Sequence, residues 1–202
     1  MKISREPGTL EIYVDDFKLK QVPEFKYLGS IFTADVRLDR EIETRCQKAN
    51  AVSYQLSPLL KHPNIDMTIK RQMINCIFQP VLCYQCQTWS ISKKQTNKIT
   101  TCEMRCLRKT MNVTRRDRIR NSDIRKTVGT TPCNLHIEQQ QMKGFGHLMR
   151  MEHSQLPSRA YNNRQSGRRA RGRPRVRWID NIKDTLRRHG ITSATQWPRT
   201  EN

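Results

Sequence analysis

The chain has 202 residues, 35% of them hydrophobic and 28% charged, and 38 Lys and Arg against 18 Asp and Glu give it a formal net charge of +20. That length suits one ordinary domain or two small ones, the apolar fraction allows only a modest core, and the charge calls for a polyanionic partner. No apolar run reaches transmembrane length and Met1 to Leu10 lacks the apolar stretch of a signal peptide, so the sequence points away from membranes and towards cytoplasm or nucleus.

Leu10, Ile12 and Val14 alternate with polar residues, the period of a half-buried strand. Asp15-Asp16 makes a turn, Phe17, Leu19 and Val22 continue on a returning strand, and Phe25 to Gly29 reads as a third. The expected product is one small antiparallel sheet, too small to stand without a covering partner. Tyr13-Val14-Asp15-Asp16 spells the Tyr-x-Asp-Asp box in which carboxylates hold the metal ions of a reverse transcriptase. Two-metal phosphoryl transfer needs clustered carboxylates, normally one from an earlier strand; Glu6 and Glu11 are the only acids before Tyr13, and twelve residues hold no polymerase palm and fingers. Asp15-Asp16 is read as a hairpin turn, not a catalytic site.

From Leu38 to Leu56, Ile42, Cys46, Ala49, Val52 and Leu56 recur at helical spacing, with Asp39, Glu41 and Glu43 on the side that suits the helix dipole. His62-Pro63-Asn64 stops this helix. Asp66 caps a second, with Ile69, Met73, Cys76 and Ile77 as its buried face, and Pro80 kinks or ends it. After an apolar stretch from Val81 to Trp89, Ser92 caps a third helix with Ile99, Cys102, Cys106 and Leu107 inward. Ser122 caps a short helix closed by Gly129, and Thr131-Pro132 opens the next, which turns Leu135, Met142, Phe145, Leu148 and Met149 to the core. Trp178, Ile179, Ile182 and Leu186 mark a last helix closed by Arg187, Arg188 and Gly190.

Two basic blocks stand out. Arg105, Arg108 and Lys109 lead into Arg115, Arg116, Arg118, Arg120, Arg125 and Lys126, with few acids to neutralise them. Arg168, Arg169, Arg171, Arg173, Arg175 and Arg177 form a second run broken by Gly167, Gly172 and Pro174, so it reads as an extended, disordered strap. Such runs neutralise phosphates, and the six cations from Arg115 to Lys126 with the six from Arg168 to Arg177 are the expected nucleic-acid contacts. Arg171-Gly172-Arg173-Pro174 also has the form of an AT-hook, in which arginines lie along a narrow minor groove.

Cys83-x-x-Cys86 with Cys102 and Cys106 comes near the spacing of a four-cysteine zinc site, but Cys102 and Cys106 fall on a helical face. Cys133, His136, His147 and His153 match no metal-ligand spacing. All seven cysteines are read as reduced thiols and no bound metal or other cofactor is expected; a zinc-stabilised interaction module is the third-ranked reading.

Several short segments follow one another in a set order: Phe25-Lys26-Tyr27-Leu28-Gly29-Ser30, Glu41-Ile42, Cys83-Tyr84 to Trp89, Arg118-Ile119-Arg120-Asn121, Phe145-Gly146-His147-x-x-Arg150-Met151, Leu156-Pro157, and Gly172-Arg173-Pro174-Arg175-x-Arg177-Trp178-x-Asp180. This ordered set resembles the C-terminal part of the endonuclease–reverse transcriptase proteins of non-LTR retrotransposons of the RTE type. Gly144, Val36 and Gln85 depart from the family's tryptophan and two glycines. The resemblance implies the last palm strands, a helical thumb and a basic extension, without the catalytic palm and its Mg²⁺ carboxylates. The expected fold is therefore mainly α: a palm remnant at 1–34, a thumb-like helical bundle at 35–153, a flexible strap at 154–177, and a short helix with a frayed tail at 178–202. The expected partner is RNA or DNA held by its phosphate backbone, with no small-molecule substrate. The alternative is a non-enzymatic DNA-binding adaptor using the Arg-Gly-Arg-Pro segment.

Overall fold

The structure, a computed structural model, describes residues 11–35, 37–163 and 176–191. These fall into two compact units, one of residues 11–85 with 93–133 and the other of 86–92 with 134–191. The fold is mainly helical with short antiparallel hairpins at its N-terminal end, as the periodicity predicts. The stretch grouped as 35–153 in the sequence is parted at 133, because periodicity locates an apolar face and not the face it meets.

In the first unit, β1 (Tyr13–Val14) pairs with β2 (Phe17–Lys18) through the Asp15-Asp16 turn, and β3 (Glu24–Tyr27) pairs with β4 (Ser30–Thr33). These are two separate two-stranded sheets, not the single sheet expected. The reason lies at Leu28-Gly29. Both residues have positive φ (47° and 84°), and a two-residue loop of that hand matches strand twist, so β3 turns directly into β4 rather than ending. The first hairpin is fully exposed, with Phe17 80% accessible.

Helix α1 (Asp39–Gln55) matches the predicted span to within a residue at each end, and buries Ile42 and Ala49 as expected. Cys46, Val52 and Leu56 are only half-buried, while Glu41, Arg45 and Ser53 are buried. α2 (Ser57–Lys61) follows, and His62 turns extended before Pro63. α3 (Met67–Met73) opens on the predicted cap, with Thr68 N donating to Asp66 Oδ2 at 2.7 Å.

The predicted inner face of this segment is rotated by one residue. Lys70, Ile74 and Phe78 are buried, Met73 is half-buried, and Ile69, Cys76 and Ile77 are exposed. Pro80, expected to kink or end the segment, does not end it. The backbone widens into a π-turn (Ile74–Phe78) and resumes as α4 (Gln79–Leu82), with Pro80 in its first turn, where a missing N–H costs little.

α5 (Lys93–Thr110) begins directly after Ser92 and buries Ile99, Cys102, Cys106 and Leu107, as its period predicts. It packs on α1 and α2. α6 (Asn121–Val128) lies against α5 and α3. Its cap is Arg120, not Ser122, which sits one residue inside the helix and bonds Asp123. Gly129 closes α6 at φ 75°, its N–H bonded to Arg125 O at 2.8 Å. A Cβ there meets only the movable end of Arg71, so the backbone conformation sets the cost. Gly129→Ala is expected to lose about 1–2 kcal/mol, read as a lower urea midpoint at unchanged m value.

α7 (Cys133–Met149) starts one residue later than Pro132 suggests. Beyond Cys133, which belongs with the first unit, it lies in the second. Ile137, Gln141 and Phe145 form its buried line; Leu135 is exposed, and Met142, Leu148 and Met149 are half-buried. α8 (Leu156–Asn162), with Pro157 in its first turn, corrects the expectation of an extended strap from residue 154. α9 (Trp178–Arg188) sets Ile182 and Leu186 against Phe145, with Met142, Met149, Trp178 and Ile179 around them. The 86–92 segment is tied in by Trp178 Nε1 donating to Gln87 O at 2.7 Å and Gln141 Nε2 donating to Trp89 O at 2.8 Å.

Candidate nucleic-acid interface

The first basic block lies at the end of α5 and in the loop that leads to α6. Asn112 and Arg118 take left-handed φ of 53° and 52°, so the loop bends sharply twice. Asp117 accepts from Thr114 N at 2.6 Å and Thr114 Oγ1 at 2.9 Å, which pins the loop and holds its carboxyl below the ordinary range. Arg115, Arg116, Arg118 and Arg120 project around this turn, all exposed, as is Lys126 on α6. Among the described residues none of these five side chains is ion-paired to a carboxylate.

Arg125 differs. Its Nη2 and Nε donate to the two oxygens of Glu103 at 2.6 and 3.2 Å, and Glu103 also accepts from Cys133 N at 3.2 Å. The guanidinium is thus drawn into the first unit as the partner of a buried carboxylate. Of the strap, Arg168, Arg169, Arg171, Arg173 and Arg175 lie outside the described residues. Arg177 stands at the start of α9, where its backbone N and its guanidinium both bond Asp180, at 2.9 Å each for N and Nη2. The guanidinium hydrogen bond comes first in lowering the Asp180 pKa, so this cap persists above the ordinary carboxylate pKa and is lost as pH falls through the depressed one.

Sequence reading gives no signal for Lys61. It comes from α2, yet it joins Arg105, Arg108, Lys109 and Arg115 around a cavity of about 460 Å³ beside the same loop. The two chain segments are distant in sequence and meet only because α2 packs on α5.

Asp15 and Asp16 form the exposed hairpin turn that the sequence predicts, with Glu11 paired to Lys18 on the neighbouring strand. The cysteines pair differently from the zinc spacing. Cys102 Sγ approaches Cys46 O at 3.7 Å and Asn50 Oδ1 at 3.6 Å. Cys133 shares a hydrogen bond with Cys83, which together with burial raises its pKa strongly. Burial pushes the Cys106 thiol up to about 11. His147 and His153 are exposed, and burial lowers the pKa of His136. Among the described residues no three His, Cys, Asp or Glu side chains gather as metal ligands, and no helix is long and apolar enough to cross a membrane.

Comparison of the chain with protein-family models, with curated proteins and with solved structures gives no match.

Proposed function

We infer that this chain binds nucleic acid through the phosphate backbone, as a thumb-like piece related to the C-terminal part of non-LTR retrotransposon reverse transcriptases. The observation that carries the binding is the α5–α6 loop: four exposed arginines, free of carboxylate partners among the described residues, on a turn pinned by Asp117 and Thr114. Exposed guanidiniums on a fixed backbone suit phosphate oxygens, which position a duplex without reading its bases. The net charge of +20 favours the same class of partner. The relationship is supported at one further position. Gln85, where the family has glycine, holds a φ of 55°, a conformation that glycine takes at no cost.

Fluorescence anisotropy of labelled duplex and single strands at several salt concentrations tests the reading. If about six phosphates are contacted, log affinity falls against log salt with a slope of roughly −4 to −5. Salt-insensitive binding would remove the proposal's basis. AT-rich and GC-rich duplexes are expected to bind alike; a preference for AT-rich duplex lost on Arg171→Ala or Arg173→Ala would favour the adaptor reading.

The chain is expected to add no nucleotide to a primer on an RNA template with Mg²⁺, because Asp15 and Asp16 lie on an exposed turn. Incorporation abolished by Asp15→Asn and Asp16→Asn would place catalysis at that turn and refute this expectation.

A further inference from the structure

The cavity beside the α5–α6 loop has a chemistry of its own. Its volume of about 460 Å³ is lined by Lys61, Arg105, Arg108, Lys109 and Arg115, and among the described residues no carboxylate or aromatic side chain lines it. Within it Arg108 is only half satisfied. Its Nη2 donates to Asn121 Oδ1 at 2.7 Å, whereas its Nε is buried with no hydrogen-bond partner among the described residues. A buried guanidinium N–H without an acceptor is costly, and it sets Arg108 apart from the other four cations of the lining.

The helix end does not oppose an anion here as strongly as a free C-terminus would. The carbonyls of Leu107, Arg108 and Lys109 already accept from the N–H groups of Met111, Val113 and Asn112 at 3.0–3.2 Å, blunting the negative pole of α5. Lys109 spends part of its ammonium on Ser53, with Nζ donating to the backbone O at 3.1 Å and to Oγ at 3.2 Å. Asp117, the nearby acid of the loop, is bonded to Thr114. Five cations around one concavity concentrate positive potential well beyond what a single phosphodiester can neutralise. Among the described residues no ring lines the cavity for a base to stack on, and its cations match charge, not a nucleobase.

We propose that this cavity is a binding site for a compact oligophosphate group, two or three linked phosphates, with Arg105 and Arg108 as its principal donors. Forked guanidiniums suit adjacent phosphate oxygens, and Lys61 closes the cavity as a point charge from a second helix. Its ligand is either a free oligophosphate or the 5′-triphosphate end of an RNA; the chemistry recognised is the same. The site shares Arg115 with the α5–α6 loop, but its principal donors Arg105 and Arg108 are not among the four loop arginines, so either can fail without the other.

Calorimetric titration of the whole chain with inorganic tripolyphosphate is expected to give saturable binding, with inorganic monophosphate weaker by roughly tenfold or more. Arg105→Gln and Arg108→Gln are each expected to weaken tripolyphosphate roughly tenfold, the loss of one charge-assisted hydrogen bond. Arg40→Gln, which alters an exposed cation paired with Glu24, should leave it unchanged. Lys61→Gln gives a third variant on a separate helix should one of the arginine variants fail to fold. Preference for 5′-triphosphate over 5′-hydroxyl RNA of one sequence, lost on Arg108→Gln, identifies the ligand as an RNA end. Equal binding of the two RNAs alongside tight tripolyphosphate binding identifies it as a free oligophosphate. Absence of saturable tripolyphosphate binding, equal affinity for monophosphate, or affinity untouched in every folded variant would overturn the site.

Discussion

Glu41→Ala is expected to cost about 3–5 kcal/mol of stability, the loss that follows when one partner of a buried ion pair is removed. Glu41 Oε1 accepts from Arg45 Nε at 2.6 Å, and both side chains are almost wholly buried. Its other oxygen accepts from Ile31 N at 2.8 Å, which fastens β4 to α1. Arg45 continues the link, its Nη2 donating to Gly29 O at 2.5 Å and its guanidinium lying 4.4 Å from the centre of the Tyr84 ring. Tyr84 in turn donates through its hydroxyl to Leu28 O at 3.0 Å.

Truncating Glu41 therefore leaves a buried guanidinium without its counter-charge and a backbone N–H without its acceptor. Glu41→Gln keeps the shape and one acceptor oxygen and is expected to lose less. Urea unfolding of the two variants beside Glu43→Ala measures this. Glu43 pairs with Lys98 at an exposed site, where removing the pair should barely move the midpoint. Equal midpoints for Glu41→Ala and Glu43→Ala would mean that the hairpin contributes nothing to the folded unit.

The second large effect concerns binding. Changing Arg115, Arg116, Arg118 and Arg120 together to glutamine is expected to make the log–log salt slope shallower by roughly 3, since each phosphate contact contributes about 0.7–0.9. The loss should be uniform across sequences, as backbone contacts carry no base information. Stability should hardly change, because all four side chains are exposed and none is ion-paired to a described carboxylate. Lys126→Gln should add a smaller decrement of the same kind. Arg125→Gln belongs in a different class: it strips the counter-charge from buried Glu103 and should appear as unfolding rather than as weaker binding.

Alanine at Arg168, Arg169, Arg171, Arg173 and Arg175 measures the strap's share. Arg177 is left intact there, because it caps α9 through Asp180. An unchanged slope in the fourfold variant would move the binding surface away from the α5–α6 loop.

The sequence by itself determined the longer helices and most of their ends, though not the short α2 and α8. Regular burial writes a 3.6-residue period into Ile42 and Ala49, into Ile99, Cys102, Cys106 and Leu107, and into Ile182 and Leu186, and residues with one physical role announce boundaries locally. Asp66 caps, Gly129 closes at positive φ, and Asp15-Asp16 turns. It also determined the charge, and with it the class of partner worth testing.

Only the tertiary structure decided which face of each helix is inner where two faces carry apolar residues. Along α3 and its π-turn, Ile69, Met73 and Ile77 compete with Lys70, Ile74 and Phe78, and a wide turn before Pro80 shifts the register. The pairing of β3 with β4 rests on two positive φ values that no pattern of alternation encodes. Which arginines remain available is likewise a matter of distant partners. Glu103, on α5, claims Arg125 but not its neighbour Lys126, and α2 brings Lys61 to Arg105 and Arg108. Charge is a property of the residue alone, whereas its pairing depends on groups brought close by packing, and packing joins residues that the chain holds far apart.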